Sequence, residues 1–247
     1  LGKVLTINKK KGFPENLSKT IETATKVKVD GFDDIAQTKF RSLDEKVGEY
    51  DKYKIEFMKK CRMSGLVQGI EFESFLRKYE TYAYENKDIG YVFTLGNNRG
   101  TIPANAFKRL KSTEVKCNSI KIDLGKALEL IIEENSNITI NSGWFSNLGV
   151  NLSNAWLQGH NVNSDSDWKK FIEKKGAQLK NIELKIEDDS FEPNGYIFMS
   201  LSSRGFLHTN NKITDEKFLE ITNDIINTIE EAIEDDSDVL NEESMSN

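Results

Sequence analysis

His160 and His208 are the only imidazoles in this chain, and so its only side chains suited to proton transfer near neutral pH. Neither has a recognisable partner: His160 follows Gly159 in an Asn-rich loop and His208 closes a strand-like run, so both read as structural or surface groups. The other grouping that could do chemistry is acidic. Glu183-Leu-Lys185 stands in a strand-like segment about twenty residues after Asp165 and Asp167. The phosphate-loop, G-x-G-x-x-G, H-E-x-x-H and G-x-S-x-G patterns do not occur in the sequence, so no cofactor is expected. Cys61 and Cys117 lie in unrelated segments with no C-x-x-C, which points to two buried, reduced thiols rather than a metal site or a disulfide framework.

The acid and the E-x-K triplet together resemble the arrangement of PD-(D/E)xK nucleases. The resemblance covers three or four residues. It implies that Asp167 and Glu183 would hold a divalent metal while Lys185 orients the attacking water. Two features depart from that family. Asp165 and Asp167 fall at a helix start rather than on a strand, and Lys185 is followed by a strand meander where a helix would be usual.

A second candidate is basic. "NNRGTIPANAFKRLKS" joins a Gly/Asn turn to a short expected helix opened by Pro103, and it carries Arg99, Lys108, Arg109 and Lys111. Cations at a helix start attract phosphates, so these four residues are the nucleic-acid-binding candidates. Charge is spread unevenly to match: residues 1–120 hold 23 Lys+Arg against 16 Asp+Glu, whereas residues 121–247 hold 11 against 24. A two-ended field of this kind speaks to partners and association rates, not to fold.

The third candidate is aromatic. All three tryptophans, Trp144, Trp156 and Trp168, lie twelve residues apart in "NSGWFSNLGVNLSNAWLQGHNVNSDSDW". No basic residue occurs between Lys126 and Lys169, which argues against base stacking beside phosphates. A packed corner with Trp156 and Trp168 buried is the expectation, and a protein interface through the three rings is the alternative.

Elements must position these groups. The spacing of Leu43, Val47, Tyr50, Phe57 and Cys61, with Ser42 and Glu45 as a capping box, predicts a helix, and Phe72, Phe75, Leu76, Tyr79 and Tyr82 predict a second. Further on, "SIKIDL" and "ITINSGWF" read as strands around a helix capped by Asp123, and Trp156 as sitting on a short helical turn. Trp168 falls in the first turn of a helix ending at Gly176, "IELKIE", "YIFMSL" and "GFLHT" form an antiparallel meander, and a last helix starts at Thr214. The fold class expected is α+β: a basic, mainly helical part over 1–112, an α+β part with the antiparallel sheet and covering helices over 113–235, and an acidic disordered tail over 236–247. The apolar runs are too short for a secretory signal or a membrane span, so a cytoplasmic protein is expected, with no membrane partner. The functional expectation is a non-catalytic binding or regulatory protein with a protein partner. The alternatives are a nucleic-acid-binding accessory protein and the metal-dependent nuclease.

Overall fold

The computed structural model of the chain describes residues 2–15, 17–96 and 107–235. It divides into two units, Asn8–Asn118 and Leu1–Ile7 with Ser119–Asn247. The chain is mostly antiparallel sheet, with thirteen strands and three α-helices among the described residues.

The Asn8–Asn118 unit is built from the second half of β1 (Lys3–Gly12), β2 (Ile21–Val29), β3 (Phe32–Val47), β4 (Tyr50–Val67), β5 (Ile70–Glu85), β6 (Tyr91–Gly96) and the start of β7 (Lys116–Ile122). Strands β2 to β6 pair in chain order as consecutive hairpins. The mainly helical N-terminal part that the spacing predicts is therefore overturned: the segment from Ser42 to Tyr82 forms β3, β4 and β5, of sixteen, eighteen and sixteen residues. Local chemistry explains the error. Ser42 does not cap a helix; its Oγ accepts from the Asp44 amide at 3.0 Å, Asp44 takes φ 54°, and the β3–β4 register shifts between Ser42 and Glu45. The capping-box pattern is a β-bulge. In Tyr53-Lys54-Ile55-Glu56-Phe57 the apolar residues are buried, and the charged ones between them pair across strands, Lys54 with Glu80 at 2.8 Å and Glu56 with Lys78 at 2.7 Å. That is the period of two, not 3.6. Asp30-Gly31 and Gln68-Gly69 close two of the hairpins with both residues at positive φ, the geometry that suits two-residue turns.

This unit's core is aromatic. Phe40 stacks on Tyr53 at 5.2 Å, and Phe13 and Phe107 pack edge-on or tilted against Phe40. Burial, with Glu85 and Asp51 nearby, pushes the Tyr53 hydroxyl up to about 12. Burial likewise pushes the Cys117 thiol up to about 12.

The other unit adds α1 (Leu124–Glu134), β8 (Ile138–Ser146), β9 (Asn154–Gln158), α2 (Ser166–Ile172), β10 (Gln178–Glu187), β11 (Tyr196–Ser202), β12 (Phe206–Thr209), α3 (Asp215–Ile229) and β13 (Ile233–Asp235). Its sheet runs β1-β12-β11-β10-β8-β9, antiparallel at each pair for which the register is set by hydrogen bonding, while β13 pairs with β7. Asp123 caps α1 by accepting from the Gly125 and Lys126 amides, and Thr214 caps α3 by accepting from that of Lys217. Helix α1 packs on β8, β10 and α3. Ile182, Leu184 and Ile186 of β10 are buried, as are Phe218, Ile225 and Ile229 of α3. The alternate β10 residues Asn181, Glu183 and Lys185 lie on the opposite, half-exposed face.

Candidate functional site

Trp144 on β8 and Trp156 on β9 stand directly opposite each other across the strand pair, and both are exposed, at 44% and 59%. Trp156 was expected to be buried on a helical turn; it is the central residue of a strand whose exposure alternates, with Asn154, Trp156 and Gln158 outermost. Trp168 is different. It is 3% exposed, its ring meets Phe145 edge-on at 4.9 Å, and it lies over Gly143, where any Cβ would collide with the indole. The three rings thus divide: Trp168 is core and leaves the interface set, while Trp144 and Trp156 form an open pair.

Strand β9 ends its sheet. The Gly159 amide donates to the Asn141 carbonyl at 2.9 Å, which fixes the ladder: Leu157 and Ala155 exchange hydrogen bonds with Gly143 and Phe145. The N–H and C=O groups of Asn154, Trp156 and Gln158 therefore point away from β8, toward the side where, among the described residues, the sheet has no further strand. Sheet edges are commonly blunted by lysine, proline or a bulge. Here the strand is Asn-Ala-Trp-Leu-Gln, with none of these. The loop between β8 and β9 adds exposed Val150 and Leu152.

Toward the sheet centre the registers continue the platform in two rows. One runs Trp156, Trp144, Asn181, Ser202, and the next Gln158, Ser142, Glu183, Ser200. The charged groups of this face are already engaged. The Asn141 amide donates to Glu183 at 2.5 Å, and Lys185 donates to Glu187 at 2.5 Å while lying over the Tyr196 ring. The Lys185 ammonium holds the Glu187 carboxyl below its ordinary range.

The E-x-K residues Glu183 and Lys185 do share a face, but the third acid does not join them as a ligand set. Asp165 caps α2, accepting from the Asp167 amide, and Asp167 pairs with Lys170 at 3.9 Å. Both acids line an open hollow of about 520 Å³ with His160. Among the described residues no three His, Cys, Asp or Glu side chains form a metal-holding group.

Of the basic candidates, Lys108, Arg109 and Lys111 lie together at one short turn. Arg99 lies outside the described residues. Lys108 and Lys111 are exposed at a short 3-10 turn, Phe107–Leu110, in place of the expected helix. Arg109 is drawn onto the protein: its guanidinium sits 5.5 Å from the Phe57 ring centre, and burial lowers its pKa. A second exposed apolar group, Leu66, Val67 and Ile70, occupies the β4–β5 hairpin tip. The acidic tail over 236–247 also lies outside the described residues.

One signal in the sequence could have located the edge. The thirty residues from Asn135 to Ser164 contain no Asp, Glu, Lys or Arg, in a chain that is 30% charged. Fold and site together define an antiparallel β protein with an uncharged, tryptophan-bearing open edge. No protein-family model and no curated protein matches the chain. No helix among the described residues is long and apolar enough to cross a membrane.

Proposed function

We propose that this chain is a non-catalytic binding protein that works by presenting the β8–β9 edge to another polypeptide. The observation that carries the reading is the exposed pair Trp144 and Trp156 on an edge strand with free backbone valence. Tryptophan supplies large contact area at low entropic cost and recurs at the energetic centres of interfaces. Outward N–H and C=O groups give an incoming strand its hydrogen bonds. The missing charges disfavour a phosphate backbone as the ligand, because neutralisation by cations supplies most of that affinity. The engaged state of Glu183, Lys185 and Asp167 supports a binding role over a catalytic one. We place the protein in the cytoplasm, a setting in which Cys61 and Cys117, both free thiols, stay reduced.

The test is site-directed photo-crosslinking in the cell of origin. A benzophenone amino acid at position 156 is expected to give covalent adducts with a polypeptide, and the same group at exposed Glu173 is expected to give none. Absence of adducts at 156, or equal adducts at both sites, would remove the reading.

A further inference from the structure

We infer that the occupant of the β9 edge is a second copy of this chain, joined β9 to β9 in an antiparallel pair about a two-fold axis at Trp156. The inference rests on the binding reading above and names its partner. Three observations lead to it.

The first is register. In a two-fold antiparallel pair centred on Trp156, that residue faces its own counterpart, and Asn154 faces Gln158 of the other copy. These are the three residues whose N–H and C=O groups point outward. All of those groups are satisfied at once, giving six hydrogen bonds with no bulge and no slip. A centre at Ala155 or Leu157 would put that residue in a non-hydrogen-bonded pair and give four bonds within β9 rather than six.

The second is charge. In a two-fold interface the residue on the axis meets its own copy, so a charge at Trp156's position would meet a like charge, while Asn154 and Gln158 meet each other. The run from Asn135 to Ser164 contains no Asp, Glu, Lys or Arg. A foreign partner would tolerate, and commonly exploits, a complementary charge at the rim. Self-association requires neutrality on the axis, and the uncharged run meets that requirement.

The third is area. The exposed fractions of Trp144 and Trp156 sum to about one whole side chain, on the order of 250 Å². With Val150, Leu152 and the strand backbone, each copy would contribute roughly 500 Å². A standard interface takes about 800 Å² per partner, so the pairing falls in the weak, reversible class, with a dissociation constant of micromolar order.

Sedimentation of the purified full chain from about 1 to 300 µM brackets that range. The wild type is expected to move from the 28.2 kDa of one chain toward twice that mass. Trp156→Lys and Trp156→Glu should each weaken association by roughly thirtyfold or more, through loss of the aromatic anchor and self-repulsion. An equimolar mixture of the two should restore a one-to-one dimer, because position 156 faces itself. Should either variant fail to fold by circular dichroism, Asn154→Lys/Gln158→Lys mixed with Asn154→Glu/Gln158→Glu tests the same register.

A wild type monomeric throughout would overturn the inference, as would a dimer that the substitutions leave intact or folded single variants that do not pair when mixed. Adducts from position 156 to a different protein would then leave the binding reading standing without the second copy. No adduct at 156 would remove both.

Discussion

Trp168→Ala and Trp156→Ala should differ sharply in cost although the two residues lie twelve apart in one polar stretch. The Trp168 indole packs on Phe145, which itself meets Phe171 of α2, and lies over the bare Cα of Gly143. Burying a side chain of about 250 Å² at roughly 25 cal/mol per Å² gives an upper bound near 6 kcal/mol. The compactness of real unfolded chains trims that figure, and truncations of this kind cost about 3–5 kcal/mol. Trp156 loses a half-exposed ring and one cross-strand pair, about 1 kcal/mol. Urea unfolding followed by tryptophan fluorescence isolates the relevant unit, since all three rings lie within Ser119–Asn247. The assay is run at a protein concentration low enough that self-association adds nothing to stability. Equal losses for the two substitutions, or a smaller loss for Trp168→Ala, would refute the division into one core ring and two open ones.

The two thiols should also separate. Cys117 is buried and held protonated to about 12, so a thiol reagent at pH 8 should leave it intact in the native protein. Cys61 is partly exposed beside the Tyr79 hydroxyl and should react, so mass spectrometry should find one adduct natively and two in urea. Two native adducts would mean that the Asn8–Asn118 core is open. Glu56 gives the pH-dependent case. Its hydrogen bond to Lys78, with Lys54 and Arg41 adding, holds its carboxyl below the ordinary 4.5. A depressed acid contributes stability above its unfolded value and loses it as the pH falls through the folded one. Glu56→Gln should therefore cost somewhat under about 1 kcal/mol at pH 7, discounted for the solvent that reaches the network, and the gap from wild type should be smaller at pH 3. A gap unchanged between the two pH values, measured by urea midpoints, would show that the ion pairs do not set the titration.

The second half of the fold was legible because its signals are local. Asp123 and Thr214 are helix caps in sequence and in space, and "IELKIE" and "YIFMSL" alternate cleanly as β10 and β11. The first half misled because aromatic residues in long hairpins also recur at three and four. Phe72, Phe75, Leu76, Tyr79 and Tyr82 imitate a helical stripe, while the buried positions of β5 include Ser74, Thr81 and Ala83, which carry little hydropathy. The Asp30-Gly31 pair was the available correction, being a strong hairpin signal. For the site, aromatic content pointed to the right segment but not to the right rings. Burial of Trp168 depends on Gly143, twenty-five residues earlier in the chain, and exposure of Trp156 depends on no strand among the described residues lying beyond β9. Neither fact is local.

Hydrogen exchange resolved to single amides in β9 tests the central claim most directly. The Ala155 and Leu157 amides face β8 and should be protected at every protein concentration. Those of Asn154, Trp156 and Gln158 point outward and should exchange quickly in dilute protein. They should become protected together as concentration rises through the micromolar range, and Trp156→Lys should abolish that change. Outward amides that exchange equally fast at all concentrations would contradict pairing between copies at this edge, and outward amides already protected in dilute protein would contradict the open edge itself.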